Sequence, residues 1–251
     1  MSKKQIPASL ERRKGDRPYF DSQMMPKIGN YYVCWFDLMG AQSIMRRSII
    51  IATNFVMKIH IASQNVLQKE HHDVELFPVI DGIYIVSRRQ SPLLFFLKSM
   101  MSRLALTFIF EEQHIHRFLV RGAIAFGPLS LGSTLTRTSN CLTDSMDYCK
   151  RIALGIPLSQ AYDDEKNAAP FGIYLSECAR SFSPADDEVL GGTHWEWWRQ
   201  ANSAEDNEIV DFLKSTLEEY YSWAEKHPST LLYQEDRMRA HLKLAHEYFS
   251  M

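Results

Sequence analysis

Hydrophobic and polar positions follow two different periods along the chain, and each change of period marks a predicted element. Residues 30–37, NYYVCWFD, are mostly aromatic or β-branched, which is typical of a strand buried on both faces. From Ala41 to Lys69, apolar residues recur at helical spacing without Pro or Gly, which predicts one long helix. The next segment, VELFPVIDGIYIVS, has two short apolar runs around Asp81-Gly82, which is the pattern of a β-hairpin.

The second half of the chain also alternates between strand-like and helical patterns. The predicted elements are a helix at 92–112, a strand at 118–129, an irregular excursion at 131–147, a helix at 148–168, a strand at 171–176 and helices near 206–226 and 230–249. Strands that alternate with helices in this order predict an α/β or α+β sheet covered by helices, rather than a helical bundle or an all-β sandwich.

Composition and charge narrow the class of protein. The 251 residues are 45% hydrophobic and 23% charged, with a formal net charge of −2, which is ordinary for a globular protein. Because the chain is not strongly basic, we expect no nucleic-acid polymer as a partner. No apolar run reaches the roughly 18 residues of a membrane span, so we expect no membrane association. The four cysteines form no CxxC pair, which predicts reduced thiols and a cytoplasmic location.

Two aspartates follow hydrophobic strand sequence and are themselves followed by glycine. Asp37 ends the first strand shortly before Gly40, and Asp81 lies in the hairpin directly before Gly82. If the two strands are neighbours in one sheet, both carboxylates can bind the same hard divalent cations, which prefer oxygen ligands. By pattern alone, Asp81 is more often an ordinary turn residue, because Asp-Gly is a favoured turn dipeptide. Asp37 is harder to explain in this way, since an unpaired charge at the edge of a core is costly.

Four segments, in this order, resemble the class III nucleotide cyclase homology domain: YYVCWFDLMG, FPVIDGIYIVS, FLVRGAIAFGPL and GIPLSQAYDDEKNAAPFGIYLS. The resemblance spans about residues 30–180 and implies an α+β fold with a ferredoxin-like βααββαβ sheet. It implies that Asp37 and Asp81 hold two divalent cations, Mn²⁺ or Mg²⁺. It also implies a phosphate-side turn, with backbone amides facing the triphosphate, at Phe36, Leu38, Met39 and Gly40.

Within that family, the chain is most similar to the compact pyrimidine cyclases of bacterial antiphage defence, the Pycsar systems. The similar motifs are Arg-Gly-Ala-Ile at 121–124 and the Gly-x-Pro and Ala-Tyr-x-x-Glu motifs between 155 and 165. Purine cyclases read adenine with a Lys before the hairpin Asp and an Asp ahead of the late helix. Phe77 and Ile152 stand near those positions here, which favours a smaller base, uracil before cytosine. The resemblance therefore implies conversion of UTP, with CTP as the other candidate, to a cyclic monophosphate.

The late helix also lacks two residues that purine cyclases use to steady the ribose and the transition state. Ser159 and Asp163 stand where that family has Asn and Arg. The negative charge that develops in phosphoryl transfer still needs a cation. Arg121 on a predicted strand is the first candidate, followed by Arg46 or Arg47 after Gly40.

Three other residues of the late helix, Tyr162, Asp163 and Glu165, differ in the roles that we expect for them. Tyr162 is a candidate for contact with the base, although a core position is the more common explanation for such a tyrosine. We expect Asp163 and Glu165 to be solvated helix charges.

The resemblance also divides the chain and implies its assembly. We expect a flexible N-terminal arm at 1–28, the cyclase homology domain at 29–180 and a C-terminal helical extension packed on the core at 181–251. The extension contains HWEWW at 194–198, which fits an interaction surface or packing of the C-terminal helices equally well. Family members build active sites between two subunits, which implies a head-to-tail homodimer. Their cyclic product implies a separate effector that responds to it.

Two other functions stay open at this point. A cyclase fold that binds a nucleotide without turnover fits the missing Asn and Arg, although two repelling carboxylates argue against it. A different metal-dependent nucleotidyltransferase, such as a dinucleotide cyclase, normally carries a Gly-Gly-acidic hairpin, whereas this hairpin reads Ile80-Asp81-Gly82.

Overall fold

The computed structural model of the chain describes residues 28–70, 73–135, 145–181, 184, 187–199, 204–231 and 234–250. Nearly all of the predicted N-terminal arm, and residues 136–144 of the predicted irregular excursion, lie outside these ranges. The chain divides into two compact units. The smaller unit comprises Met1–Gly29 and Leu129–Leu154, and the larger one comprises Asn30–Pro128 and Gly155–Met251.

The α+β fold class is confirmed, since a central mixed sheet is accompanied by helices. The strands are β1 (Gly29–Leu38), β2 (Glu75–Val79), β3 (Gly82–Ser87), β4 (Val120–Leu131), β5 (Ala153–Gly155), β6 (Ile173–Leu175) and β7 (His194–Trp195). The helices are α1 (Ala41–Arg47), α2 (Ile49–Glu70), α3 (Gln90–Ile109), α4 (Gly132–Leu135), α5 (Met146–Cys149), α6 (Ile156–Asp164), α7 (Glu177–Ser181), α8 (Ala204–Lys226), α9 (Pro228–Leu231) and α10 (Glu235–Phe249). In the sheet, six of these strands follow the order β2-β3-β1-β4-β6-β7.

The antiparallel pairing of β1 with β3 positions the two predicted metal ligands. Asp37 lies opposite Gly82 in this pairing, and Val79 of β2 lies opposite the same Gly82. The turn between β2 and β3 therefore consists of Ile80 and Asp81, next to the C-terminal end of β1. The register brings Asp37 and Asp81 to one end of the sheet.

Successive residues of β1 point to opposite faces of the sheet, as the pleat requires. Tyr32, Cys34, Phe36 and Leu38 are buried in the main hydrophobic core. Phe55 of α2 and several residues of α3 and α8 belong to the same core. Helix α3 is apolar and long enough to cross a membrane, but about half of that stretch is buried inside the protein, as in a core helix. Trp35 and Asp37 belong to the opposite set of β1 positions.

Two predicted helices differ from the structure. The predicted helix over Ala41–Lys69 is wrong at Ser48, which has extended backbone angles and separates α1 from α2. The Ser48 hydroxyl accepts a hydrogen bond from the Ile51 amide at 3.3 Å, so Ser48 caps α2. The predicted helix over 148–168 is wrong in its first part and correct in its second. Residues 153–155 are a strand, and α6 begins only at Ile156, with Pro157 in its first turn.

The tryptophans of the C-terminal segment are packed inside the larger unit. Trp197 is fully buried and donates its indole N–H to the Phe171 carbonyl at 2.9 Å. Trp198 stacks on Phe249 with ring centroids 5.1 Å apart. The Tyr248 hydroxyl donates to the Trp195 carbonyl at 2.6 Å. These contacts favour the packing explanation of HWEWW over an interaction surface.

The smaller unit is described at 28–29, 129–135 and 145–154. Within it, the Gly132 amide donates to the Ile152 carbonyl at 2.7 Å. A Cβ at Gly132 would lie 1.9 Å from the Cys149 carbonyl oxygen, so this position requires glycine.

Gly82 gives a direct test of the β1–β3 pairing. A Cβ at this position would lie 2.5 Å from both the Phe36 carbonyl oxygen and the Trp35 ring. We therefore expect Gly82→Ala to lower the free energy of unfolding by about 1–3 kcal/mol through overpacking. Thermal unfolding measures this effect. The matched control is Gly191→Ala, where a Cβ meets no atom within 4 Å. Equal melting temperatures for the two variants would contradict the close approach of the strands.

Candidate active site

Asp37 is the most strongly perturbed carboxyl group at this end of the sheet. Its Oδ1 atom is buried and has no hydrogen-bond partner among the described residues. Burial is the main cause that raises the pKa of Asp37 to about 8, followed by repulsion from Glu165 and Asp81. The Leu38 amide and the Arg121 guanidinium oppose this rise in pKa. The site therefore disfavours a charged Asp37 unless a cation is bound.

The hairpin turn holds Asp81 close to this group. Ile80, the first residue of the turn, has a φ of 46° and is 84% exposed. A β-branched residue is rare in this left-handed region and costs conformational energy. Asp81 repels both Asp37 and Glu165, and this repulsion contributes to the raised pKa of each. The three carboxyl groups are therefore electrostatic neighbours.

Glu165 is a site residue that sequence reasoning missed. The prediction of a solvated charge is wrong, because Glu165 is only 7% exposed. Its carboxylate accepts a hydrogen bond from Arg121 Nε, and the two form a largely buried ion pair. Its neighbours at helical spacing, Ala161 and Ala168, are apolar and fully buried. That spacing was the available signal that position 165 faces inward.

Arg121, the first candidate for the cation that faces the transition state, is fixed by several acceptors. Besides Glu165, its Nη1 atom donates to the Lys166 carbonyl at 3.2 Å and lies 3.5 Å from His241 Nε2. Burial is the main cause that lowers the pKa of His241 to about 4, followed by Arg121 and Arg237. A neutral His241 can accept the hydrogen bond from Arg121.

The residues present fit a hard divalent cation held by two carboxylates. The unpartnered Oδ1 atom of Asp37 and the mutual repulsion of Asp37 and Asp81 are both relieved by a cation. Among the described residues, no group of three or more His, Cys, Asp or Glu side chains is arranged as metal ligands. Mg²⁺ commonly takes one or two carboxylates and completes its shell with water and substrate phosphates. The donor set therefore suits an ion that arrives with a phosphate ligand.

The predicted phosphate-side turn can act only through its backbone. The side chains of Phe36, Leu38 and Met39 are buried in the core. The Met39 amide already donates to the Leu119 carbonyl at 2.9 Å, so it is not available to a ligand. Gly40 is exposed and has a φ of 75°, which a side chain would disfavour, and it leads directly into α1.

The predicted base-contacting residues lie on the same side of the sheet as Asp37. Phe77, Tyr84 and Trp35 form one cross-strand row in β2, β3 and β1. This row lies two residues along each strand from the row that contains Gly82 and Asp37. The Trp35 ring is 4.5 Å from that of Tyr84 and 5.6 Å from that of Tyr162, centroid to centroid. Phe77 is buried, whereas Tyr162 is 58% exposed. An aromatic cluster therefore lies beside the carboxylates, with Trp35 and Phe77 buried and Tyr162 exposed.

The predicted residues divide between two surfaces. Met39, Gly40, Arg46 and Arg121 line a cavity of about 590 Å³. Asp37, Asp81, Phe77 and Tyr162 are not among the described residues that line it.

Comparisons with known proteins give only distant similarities. No protein-family model matches the chain, and no curated protein matches it. One similar solved structure is a bacterial light-regulated adenylyl cyclase, with 8% identity, 83% of this chain and 67% of that chain covered, and a TM-score of 0.46. Another is a dimeric guanylyl cyclase domain of a RhoGC fusion protein from the aquatic fungus Blastocladiella emersonii. It has 14% identity and a TM-score of 0.43, and the match covers 61% of this chain and 83% of that one.

A third similar structure is a class III adenylyl cyclase-like ATP-binding protein from Pseudomonas aeruginosa. It has 16% identity and a TM-score of 0.42, and the match covers 91% of this chain but 54% of that one. Values this low assign neither a family nor an activity, so the function depends on the site residues.

The raised pKa of Asp37 predicts a pH-dependent stability in the absence of divalent cations. The pKa is about 8 in the folded protein against an ordinary 3.8, so the folded state binds more protons than the unfolded state between these values. The free energy of unfolding should therefore fall as pH rises from about 5 to 8, by at most about 1.4 kcal/mol per pH unit for one carboxyl group. Thermal unfolding in EDTA at several pH values measures this slope.

Asp37→Asn identifies the source of that slope. The variant should melt at a higher temperature than the wild type at pH 8 and show a shallower dependence on pH, because the buried charge is gone. Asp211→Asn, at an exposed position on α8, is the control and should keep the wild-type slope. An unchanged slope in Asp37→Asn would contradict the assignment.

Proposed function

We propose that this protein is a metal-dependent nucleotide cyclase that converts a pyrimidine nucleoside triphosphate to the 3′,5′-cyclic monophosphate and pyrophosphate. UTP is the first candidate substrate and CTP the second. The observation that carries this proposal is the pair Asp37 and Asp81, placed at one end of the sheet by the β1–β3 register, with a buried carboxylate oxygen that lacks a partner. Such a site gains stability from a cation.

The reaction joins the ribose 3′ oxygen to the α-phosphorus and breaks the bond from that phosphorus to the departing pyrophosphate. The 3′ proton is lost to solvent. Two bound divalent cations, Mn²⁺ or Mg²⁺, would lower the pKa of the attacking hydroxyl and neutralise the leaving group. In this proposal Asp37 and Asp81 hold the cations, and the exposed backbone at Gly40 faces the phosphates. Arg121, held in place by Glu165, faces the charge that develops in the transition state.

The aromatic cluster supports a pyrimidine substrate. Phe77 offers no hydrogen-bonding group to a purine edge, and it is buried in one cross-strand row with Tyr84 and the buried Trp35. Tyr162, exposed above Trp35, provides a ring for stacking and a hydroxyl for contact with a small base. The choice of uracil over cytosine follows from the sequence resemblance alone.

The assembly and biological role in this proposal also derive from the sequence resemblance. The enzyme works in the cytoplasm as a head-to-tail homodimer with active sites at the interface. Its cyclic product activates a separate effector during antiphage defence.

A second candidate function is nucleotide binding without turnover by a degenerate cyclase fold. One observation favours it: Arg121 is already committed to Glu165, and Ser159 and Asp163 provide no substitute cation. A protein of this kind would bind nucleotide and metal but release no pyrophosphate.

Incubation of the purified protein with each of the four ribonucleoside triphosphates and Mn²⁺ tests the proposal. We expect a cyclic pyrimidine monophosphate, resolved by mass, and no product from Asp37→Asn or Asp81→Asn because each loses a cation ligand. Asp211→Asn serves as the matched control and should keep wild-type turnover. If nucleotide and metal bind but no triphosphate is consumed, the degenerate binding protein replaces the cyclase.

The role of Arg121 can be separated from its effect on folding. Removing Arg121 alone leaves Glu165 buried and unpaired, which costs about 3–5 kcal/mol in such pairs. The double variant Arg121→Gln/Glu165→Gln removes both charges. We expect it to fold and to lower kcat by about 10²–10³-fold, the usual loss of one transition-state donor.

The single variant Glu165→Gln keeps the Arg121 guanidinium and is compared with the double variant. It should retain more turnover than the double variant, because Arg121 still faces the phosphates. Equal turnover of the double variant and the wild type would remove Arg121 from the mechanism.

A further inference from the structure

The cavity of about 590 Å³ has an unusual charge. Its walls come mainly from α1, the start of α2, the residues that precede and begin β4, the turn after α6, and α10, all in the larger unit. The cationic side chains that line it are Arg46, Arg47, Arg117, Arg121, Lys166 and Arg237. No Asp or Glu is among the described residues of its lining. Clefts lined by one sign of charge concentrate the electrostatic potential and attract ligands of the opposite sign.

Half of these cations have acceptors within the protein. Arg47 donates to the Thr230 carbonyl, and Arg117 forms an ion pair with Glu219 at 3.2 Å. Arg121 is held by Glu165. These contacts fix the guanidinium groups in place around the cavity.

The other cations have no such partner. The side chains of Arg46, Lys166 and Arg237 form no hydrogen bond or ion pair with any residue that the structure describes, and all three residues are exposed. They come from α1, from the turn after α6 and from α10. Three separate elements therefore place at one cavity cations whose side chains have no partner in the part of the chain that the structure describes.

Helix α10 brings Arg237 to this place. Arg237 and His241 are four residues apart and so share one face of the helix. Both line the cavity, and His241 Nε2 lies 3.5 Å from Arg121 Nη1. The helix is anchored by buried residues that include Met238 and Tyr248. The position of Arg237 is therefore fixed by core packing on another face of α10.

We infer that α10 completes a subsite for a linear polyphosphate, with Arg237 and Arg46 as its principal ligands. Arginine suits this role because its fork of N–H groups matches phosphate oxygens in pairs. A chain of phosphates carries enough negative charge to compensate several cations at once, whereas a single carboxylate does not. That the polyphosphate is the β- and γ-phosphates of the nucleotide rests on the proposed function.

This inference gives the C-terminal segment a role in the site. The sequence resemblance to cyclases ends near residue 180, and the segment beyond it is expected only to pack on the core. In this inference the C-terminal segment itself contributes a phosphate-binding residue, Arg237, which lines the same cavity as Gly40 and Arg121.

Calorimetric titration of the full-length protein with inorganic triphosphate in EDTA tests the inference without requiring turnover. We expect Arg237→Gln to weaken the dissociation constant about tenfold or more, which corresponds to about 1.4 kcal/mol. The control is Arg239→Gln, on the same helix, where the side chain is 66% exposed and paired with Glu235 outside the cavity. It should change the constant less than about twofold. Arg46→Gln, on α1, should weaken binding as Arg237→Gln does.

The outcomes separate this inference from the cyclase proposal. If the wild type does not bind triphosphate, or if Arg237→Gln and Arg239→Gln weaken binding equally while both keep the wild-type melting temperature, the inference is overturned. If binding depends on Arg237 and Arg46 but no nucleotide is cyclised, the subsite stands and the proposed cyclase fails. If a nucleotide is cyclised while triphosphate binding is indifferent to Arg237, the cyclase stands and the subsite fails.

Discussion

The antiparallel register of β1 and β3 is the constraint on which the candidate site depends. It pairs Asp37 with Gly82 and so sets the carboxylate beside the β2–β3 turn. A slip of one residue would turn Asp37 towards the core face and Phe36 away from it, because side chains alternate along a strand. Gly82 stabilises the register from the other side, since only a residue without a Cβ lets the Trp35 ring and the Phe36 carbonyl approach so closely. Packing of the core on one face of β1 thus fixes the position of the Asp37 carboxylate on the other face.

The electrostatics of the larger unit separate into two regions. Asp37, Asp81 and Glu165 repel one another at the end of the sheet, and burial adds to the cost of charging Asp37. The cavity beside α1 has the opposite character, with cations and no carboxylate among its described lining residues. Arg121 belongs to both regions, through its pair with Glu165 and its place in the cavity wall. A metal–polyphosphate complex carries the complementary pair of charges, positive at the metal and negative along the phosphates.

Local patterns predicted much of the fold because they act over short distances. The apolar run of β1 and the Asp-Gly hairpin follow from neighbouring residues, and β1 and the two hairpin strands form as expected. The break at Ser48 was missed because apolar periodicity continues through it, although a serine before Ile49 is a normal helix cap. Glu165 was judged by its charge rather than by its apolar neighbours. Arg237 could not be found at all, since its proximity to Arg121 depends on how α10 packs against distant elements.

The distribution of charge bears on whether the site is catalytic or only binds. A site that holds nucleotide through cations alone gains nothing from three neighbouring carboxyl groups, and their repulsion lowers the stability of the fold. The buried Oδ1 of Asp37 adds a further cost, because a polar atom without a partner loses its hydration. A divalent cation removes both costs at once. The ion pair of Arg121 with Glu165 is compatible with catalysis, since a transition-state donor must be held in position before the reaction begins. The carboxylates therefore favour a site that binds a divalent cation, as both the cyclase and the nucleotide-binding protein would.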